Sequence, residues 1–323
     1  MKEVVRKALL SLVLVSLLFL LVSCSGVVQA GERPSDTASR LKAANSGSQG
    51  VEISLVNNFP PTLIYDDNEL VALVKVENKG NHPLKLSDCF VQITGFDPFI
   101  IKNGFNVYHP CAENRGVLDG KNEYNLNGGS NQIEFNSNDN RLPQGVFEYN
   151  PLLNFVVCYN YHTMANPVVC VDPLFYQVTS QQKSCIPHDV SMGGGQAAPV
   201  GVSYVGVDMT GGGAIFEIGI QNLGTGRVLS SYSDLRNCGQ ASLTYNDQDV
   251  VYYQVSWSGG ILDCKPRDFV RLVNNNGIIT CSVTLPNTGA FETPLLVDLD
   301  YNYIKSFTKT VKIIRTPGSQ TLS

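Results

Sequence analysis

Two stretches of the chain resemble each other and place hydrophobic residues at every second position. The first covers residues 151–161 and the second residues 294–303, and each runs from Pro-Leu-Leu to Tyr-Asn-Tyr. Successive side chains of a β-strand point to opposite faces, so this alternation predicts two strands that each bury one face. The two Tyr-Asn-Tyr motifs lie 142 residues apart (301 − 159), which indicates two similar domains. The buried face of the second strand would carry Leu295, Val297, Leu299, Tyr301 and Tyr303.

Short segments with the same alternation, separated by turn residues, fill most of the remaining chain. Asn, Asp, Gly and Pro interrupt them at intervals of about 8–12 residues, which is typical of a β-sandwich. No stretch beyond the N-terminal segment combines helical periodicity with capping residues. We expect the first long strand to pair with residues 168–171 and the second with residues 307–314, so that each domain closes with a hairpin.

These patterns divide the chain into a targeting segment and two strand-rich domains. Residues 25–49 are rich in Ser, Ala, Gly and Asn and lack apolar periodicity, which predicts a flexible tether. The domains are expected at 50–178 and 199–317, joined by a linker at 179–198 and followed by a tail at 318–323. A length of 323 residues suits two domains of roughly 150 residues each.

The first 24 residues indicate the compartment. Basic residues precede an apolar run at positions 8–22, which is the pattern of a secretory signal. The run ends in Leu21-Val22-Ser23-Cys24, which resembles the lipobox of prokaryotic lipoproteins. The resemblance implies that Cys24 becomes the lipid-carrying first residue of the mature protein. An ordinary cleaved signal and an uncleaved N-terminal anchor are the alternatives; a lipid or an uncleaved anchor would hold the protein on the membrane at the cell surface.

Eight of the nine cysteines follow Cys24, and an even number outside the cytosol predicts disulfides. Cys158 and Cys170 would face each other across the first predicted hairpin. The expected bonds are Cys158–Cys170, Cys264–Cys281, Cys89–Cys111 and Cys185–Cys238. The last pair is what the other three leave, and it would fix the two domains at a constant angle. Eight cysteines allow about 105 arrangements, so spacing alone does not decide the connectivity.

Two strands end in the same short motif, Asn-x-Gly. Residues 74–80 read Val-Lys-Val-Glu-Asn-Lys-Gly, and residues 218–224 read Ile-Gly-Ile-Gln-Asn-Leu-Gly. Both resemble the V-x-N-x-G strand of CARDB-like, adhesion-type immunoglobulin-like domains, and the chain resembles archaeal surface lipoproteins with two such domains. The resemblance covers roughly residues 50–316. It implies an all-β fold of two tandem immunoglobulin-like β-sandwich domains and a role as spacer, adhesive surface or scaffold, although a fold alone assigns no activity.

The reactive side chains give little indication of an enzyme. None of the four histidines has another His, Cys or acidic residue at metal-ligand spacing within a predicted strand, and the glycine runs lack the context of phosphate loops. The acidic turns at 66–69 and 246–249 fit turn chemistry better than a calcium loop. Asp298 and Asp300 fall on the solvated face of their strand. A net charge of −5 also argues against a nucleic-acid partner, and no metal or cofactor is expected.

A binding surface is expected where aromatic residues lie in less regular stretches, because the Tyr-Asn-Tyr tyrosines belong to the core. The candidates are Phe99, Phe105, Tyr108, Tyr252, Tyr253 and Trp257. The leading hypothesis is a non-enzymatic, lipid-anchored envelope protein that acts in adhesion or as a surface scaffold or spacer, with other surface proteins or glycans as partners. The alternatives are an extracellular carbohydrate- or peptide-binding module and an extracellular hydrolase, since a catalytic triad is defined by geometry.

Overall fold

The chain folds predominantly into β-strands, and the prediction of an all-β fold is confirmed. The computed structural model describes residues 34–318 except 179–181, 194, 240–242 and 286–287. From Arg40 onward the residues cluster into one compact unit. The predicted signal segment, Cys24 and the start of the predicted tether lie outside the described residues.

A single helix, α1 (Pro34–Ala44), precedes the strands of the described chain. It lies within residues 25–49, so the prediction of a flexible tether is wrong for this segment. Its Ala, Arg, Leu and Lys residues favour a helix, and Asp36 and Lys42 oppose the helix dipole at its two ends. Apolar periodicity gave no signal here because the helix carries few large apolar side chains. No helix among the described residues is long and apolar enough to span a membrane.

The strands fall into two groups, which we call the first half (residues 50–178) and the second half (residues 199–317), with β12 between them. The strands of the first half are β1 (Val51–Leu55), β2 (Leu63–Tyr65), β3 (Leu70–Asn78), β4 (Leu84–Lys85), β5 (Cys89–Thr94), β6 (Tyr108–Pro110), β7 (Val117–Leu118), β8 (Ser130–Ser137), β9 (Glu148–Tyr149), β10 (Leu152–Ala165) and β11 (Val168–Val171). They are followed by β12 (Val190–Ser191), β13 (Val200–Thr210), β14 (Gly213–Asn222), β15 (Arg227–Leu229), β16 (Val250–Trp257), β17 (Gly260–Ile261), β18 (Asp263–Lys265), β19 (Phe269–Arg271), β20 (Asn276–Thr284), β21 (Phe291–Thr310) and β22 (Lys312–Ile314).

Each half has its own outer sheet, and the two halves share a third sheet. The outer sheets have the strand orders β1-β3-β8 and β12-β13-β14-β20-β18. The shared sheet has nine strands with the central order β17-β16-β21-β10-β5-β6. Strands β10 and β21 therefore lie side by side at the middle of the shared sheet, between strands of the two halves.

Alternation decides which residues face the core. In β3, Leu70, Ala72, Val74 and Val76 are buried, and the side chains between them are more exposed. The apolar faces of β10 and β21 belong to the same buried cluster. The strand phase predicted for both Tyr-Asn-Tyr stretches is confirmed, because their tyrosines are all buried.

Strand β10 pairs with β21 along its whole length, which corrects both predicted hairpins. The ladder runs antiparallel from Leu152 opposite Thr310 to Ala165 opposite Val297. Strand β11 continues along β21 instead of folding back on β10, and β22 pairs with β9 and β2. The N–H of Leu295 donates to the carbonyl of Pro167 (2.9 Å), which continues the pairing between β10 and β11. The N–H of Val311 donates to the carbonyl of Pro151 (3.2 Å), which continues it between β21 and β22. Residues 148–171 and 291–314 thus form one antiparallel ribbon.

The register of this ribbon gives the molecule an internal pseudo-two-fold axis. Asn160 faces Asn302, Tyr159 faces Tyr303, and Tyr161 faces Tyr301. Each tyrosine therefore pairs with the non-equivalent tyrosine of the other motif, as it would in an isologous dimer contact. Exchanging every residue of the ribbon for its equivalent in the other half reproduces the same register. The axis passes between the two asparagines.

A closed set of hydrogen bonds, which we call the tyrosine lock, explains the Asn-x-Gly motif in the first half. Tyr161 Oη donates to Asn78 Oδ1 (3.1 Å) and accepts from the N–H of His82 (3.2 Å). Asn78 Nδ2 in turn donates to the carbonyl of His82 (2.7 Å). Gly80 is needed because a Cβ at that position would collide with Tyr161 Oη and with the carbonyl of Ala197. The motif therefore satisfies the hydroxyl of a buried tyrosine.

The second half repeats the tyrosine lock at equivalent positions. Tyr303 Oη donates to Asn222 Oδ1 (2.9 Å) and accepts from the N–H of Gly226 (2.9 Å). Asn222 Nδ2 donates to the carbonyl of Gly226 (3.1 Å), and a Cβ on Gly224 would collide with Tyr303 Oη. Burial raises the pKa of the Tyr303 phenol to about 12, so the folded protein holds it neutral.

The first tyrosine of each motif is bonded to the start of an outer sheet. Tyr301 Oη accepts from the N–H of Val200 (3.2 Å), the first residue of β13. In the first half, Tyr159 has a backbone hydrogen bond with Val51, the first residue of β1. Burial raises the pKa of both phenols well above the ordinary value. The four tyrosines thus connect the ribbon to both outer sheets.

Two of the four predicted disulfides form, and the other two are wrong. The bonds Cys89–Cys111 and Cys264–Cys281 are present. The predicted pairs Cys158–Cys170 and Cys185–Cys238 are replaced by the observed pairs, which are Cys158–Cys238 and Cys170–Cys185. Four disulfides are typical of a protein in an oxidising, extracytoplasmic compartment.

The hairpin error explains the pairing error. Because β10 and β11 follow each other along β21, Cys158 and Cys170 do not face each other across a turn. The Cys170–Cys185 bond ties the predicted linker to the first half, so the argument that Cys185 fixes the angle between domains fails. The bond between the halves is instead Cys158–Cys238, with Cα atoms 6.5 Å apart.

We expect Gly80→Ala to lower the free energy of unfolding by roughly 2 kcal/mol, because the added methyl group displaces Tyr161 from its lock. Gly211→Ala is the matched control, since a Cβ there meets open space and its φ is not positive. The control should stay within about 0.5 kcal/mol of the wild type in denaturant titrations. Equal stability of the two variants would argue against the lock.

We expect the double variant Cys158→Ser, Cys238→Ser to lose more stability than Cys170→Ser, Cys185→Ser. The first bond closes a sequence separation of 80 residues and the second a separation of 15. Chain entropy then gives losses of about 4.5 and about 3 kcal/mol. Denaturant titrations under oxidising conditions measure the difference. A larger loss for the Cys170–Cys185 pair would contradict a connecting role for Cys158.

Candidate functional site

The outward face of the shared sheet carries two equivalent patches, one on each side of the pseudo-two-fold axis. Cys158 and Asp300 occupy equivalent positions, because each precedes the first tyrosine of its motif. Cys158 is opposite Phe90 on β5, and Asp300 is opposite Tyr252 on β16. The axis therefore relates an aromatic residue on β5 to an aromatic residue on β16.

The next outward position extends the equivalence. Val156 is opposite Gln92, and Asp298 is opposite Gln254. We call Phe90, Gln92, Val156 and Cys158 the covered patch. We call Tyr252, Gln254, Asp298 and Asp300 the open patch.

A segment of the second half lies on the covered patch. Residues 230–239 leave β15 and cross the outward face, where Cys238 bonds to Cys158. The guanidinium carbon of Arg236 lies 5.6 Å from the ring centre of Phe90 and 5.9 Å from that of Tyr108, close enough for a cation–π contact. Gln92 Nε2 donates to the carbonyl of Arg236. This segment explains why Val156 and Cys158, although outward, are buried.

The open patch has the same strand pairing as the covered patch but different side chains. Tyr252 and Gln254 preserve the aromatic ring and the carboxamide, but Asp298 and Asp300 replace the valine and the cysteine. Gln254 is exposed, and Tyr252 is half-buried. Two carboxylates therefore stand where the covered patch offers an apolar side chain and a disulfide.

Two further aromatic rings lie next to Tyr252. Phe269 on β19 lies 5.7 Å from it, as Tyr108 lies 5.4 Å from Phe90 in the covered patch. Tyr232 stands edge-on to Tyr252 at 5.0 Å and is 83% exposed. The open patch thus places aromatic rings next to two carboxylates.

Two histidines border the open patch, and the sequence did not predict that they lie close together. His162 is opposite Asp300, and its Nε2 lies 3.4 Å from Asp298 Oδ1. The ring of His82 lies 5.8 Å from that of His162. Sequence spacing missed this cluster because only the β10–β21 pairing brings His162 to Asp298. No group of three His, Cys, Asp or Glu side chains in the described chain has the geometry of a metal site.

The six predicted binding aromatics do not form one surface. Tyr252 belongs to the open patch. Tyr108 lies on β6 beside the covered patch and is 45% exposed. Strands β21, β10 and β5 separate β6 from β16, which carries Tyr252. Phe99 is exposed in the loop after β5.

The other three candidates point toward the protein interior. Phe105 is fully buried between Phe96 and Phe135, so its assignment to a surface is wrong. Tyr253 and Trp257 lie opposite the buried Leu299 and Leu295 and pack partly against the core. The irregular sequence around Phe105 suggested exposure because loops usually run over the surface.

Comparison with known proteins gives little further guidance. No family model matches the chain, and no curated protein matches it. Among solved structures, the chain is similar to the secreted serine protease VesC from Vibrio cholerae, at 15% identity and a TM-score of 0.19. That match covers 81% of this chain and 50% of the other, so the chain spans about half the length of VesC. A likeness this weak assigns neither fold nor activity.

We expect the stability of the protein to fall as the pH decreases below about 6.5, and His82 to contribute to this loss. Burial, with repulsion from His162, holds the pKa of His82 below its ordinary value, although Asp88 and Asp300 act in the opposite direction. The unfolded state therefore binds the proton more readily, and the contribution present above pH 6.5 is lost as the pH falls. His82→Gln should flatten the dependence measured by denaturant titration at several pH values.

His188→Gln is the control for this measurement, because His188 lies in the exposed segment between the halves. It should leave the pH dependence as it is in the wild type. If His82→Gln and His188→Gln give the same slope, His82 does not titrate with folding.

Proposed function

We propose that this protein is a non-enzymatic, lipid-anchored protein of the cell surface that acts in adhesion or as a scaffold. In this proposal, two tandem immunoglobulin-like, CARDB-like sandwiches form a stiff unit that presents the open patch to a partner. The observation that carries the proposal is the β10–β21 ribbon with the Cys158–Cys238 bond, because together they prevent the two halves from moving independently of each other. A stiff unit suits a protein that must hold a binding face away from a membrane.

The arrangement of each half supports the immunoglobulin-like assignment. The outer sheet β1-β3-β8 and the strands β5 and β10 contribute to one buried cluster, and β13-β14-β20 with β16 and β21 repeat this plan. The tyrosine locks resemble the tyrosine corner of immunoglobulin sandwiches, in which a strand tyrosine bonds to nearby backbone. The V-x-N-x-G motif then has a structural reason in both halves.

The lipid anchor is the second part of the proposal. We expect the mature protein to begin at Cys24 with a thioether-linked lipid, because the lipobox-like residues follow an apolar run. Mass spectrometry of the mature N-terminus measures this directly, and Cys24→Ser should release the protein from membranes. An N-terminus at Ser25 or later without acyl mass would exclude lipidation.

The binding role is tested with beads that carry the purified full-length protein. We expect these beads to adhere to cell envelopes of the producing organism, and beads that carry an unrelated protein of similar charge not to adhere. Adhesion should fall when soluble protein is added as a competitor. Adhesion no greater than that of the unrelated protein would contradict the proposal, and turnover of peptide, ester or glycoside substrates would favour the hydrolase alternative.

A further inference from the structure

The covered patch shows how this sheet face binds a polypeptide. Three features hold the segment with Arg236: the guanidinium over the aromatic pair, the bond from the Gln92 carboxamide to the carbonyl of Arg236, and the disulfide. The first two use side chains that the open patch preserves as Tyr252 and Gln254. Only the disulfide depends on a residue that the open patch lacks. The open patch therefore retains the non-covalent part of a polypeptide-binding site.

The first half of the chain has no segment that could cover the open patch in the same way. In the second half the covering segment, residues 230–239, belongs to the long connection from β15 to β16. The connection from β4 to β5, at the equivalent place in the first half, contains only residues 86–88. Three residues span at most about 10 Å, which is too short to cross two strands and return. The equivalent connection of the first half therefore does not cover the open patch, which leaves its outward side open to a segment of another molecule.

Charge decides which polypeptide the open patch would prefer. Asp298 and Asp300 are outward carboxylates on adjacent outward positions of β21. An arginine placed over Tyr252, as Arg236 is placed over Phe90, would have Asp300 directly across the ladder. Carboxylates bind a guanidinium through paired, charge-assisted hydrogen bonds, and aromatic faces attract it as well. A basic side chain gains from both groups, whereas an acidic side chain is repelled by the two carboxylates and an apolar one desolvates them without forming a hydrogen bond.

The neighbouring side chains support the same occupant. Asn160 Nδ2 donates to Asp300 Oδ1 (3.1 Å), and His162 approaches Asp298, so both carboxylates are oriented, and both residues remain partly exposed. Tyr232, edge-on to Tyr252, would flank the guanidinium as a second aromatic wall.

We propose that the open patch binds an arginine-containing peptide segment of a partner protein, with the guanidinium over Tyr252 and beside Asp300, and with a main-chain carbonyl bonded to Gln254. This inference rests on the proposed binding role and names the chemistry of its partner.

The probe is a synthetic heptapeptide with the sequence of residues 233–239, in which asparagine replaces the aspartate and serine replaces the cysteine. A matched peptide carries glutamine instead of arginine. Fluorescence anisotropy of the labelled peptides is measured against the full-length protein in detergent. We expect weak, saturable binding of the arginine peptide that weakens as salt is added, and binding at least about tenfold weaker for the glutamine peptide.

Protein variants locate the site. Asp298→Asn combined with Asp300→Asn, and separately Tyr252→Leu, should each weaken the arginine peptide by about tenfold, whereas Asp208→Asn, an exposed acid on β13, should not. Each variant must unfold at the wild-type denaturant midpoint, and Asp300→Glu, which keeps the charge, should bind as the wild type if a patch variant is unstable. The inference is overturned if no peptide saturates, if both peptides bind equally, or if the patch variants bind like Asp208→Asn. Saturable binding of a neutral oligosaccharide that the patch variants abolish would also overturn it.

The bead assay separates this inference from the proposed function. If wild-type and Asp298→Asn, Asp300→Asn beads adhere equally well, the surface role stands and the open patch is not its site. If wild-type beads do not adhere, the surface role fails, whatever the peptide titration gives.

Discussion

The structure depends on one constraint: four tyrosines are buried at the centre of an antiparallel ribbon, and each hydroxyl must find a partner there. A buried hydroxyl without a hydrogen bond costs several kilocalories per mole. Tyrosine rings can therefore fill this core only if nearby backbone or side-chain amide groups form hydrogen bonds with their hydroxyls. Asn78 and Asn222 meet this need for the second tyrosine of each motif. The following glycines leave room for the rings. The Asn-x-Gly motif of the outer strands is thus required by the Tyr-Asn-Tyr motif of the central strands.

The same ribbon accounts for the asymmetry on which the proposed function rests. A pseudo-two-fold axis creates two equivalent outward patches, and a polypeptide segment with a disulfide occupies one of them. The other patch keeps the aromatic and amide groups and replaces the disulfide position with Asp300. The contacts in the covered patch therefore indicate which kind of polypeptide the open patch is suited to bind.

Much of the local structure could be predicted from sequence, and the long-range pairing could not. Alternation correctly placed the tyrosines and Leu299 inward, and the two correctly predicted disulfides join cysteines that are close in sequence, 22 and 17 residues apart. Alternation does not say whether a strand ends at Asn166-Pro167 or continues along a distant partner. The error at that point produced the wrong partner for Cys158. It also hid the approach of His162 to Asp298, because that contact exists only in the β10–β21 register.

The most direct test of the central claim is hydrogen exchange followed by mass spectrometry on native protein, with peptides that cover residues 152–165 and 297–310. A shared ribbon predicts that both segments are among the slowest to exchange and that they lose protection together as denaturant is added, because opening one strand exposes the amides of the other. If residues 152–165 exchange while residues 297–304 remain protected by β16 and β15, the halves open independently, and the account of a single stiff unit is contradicted.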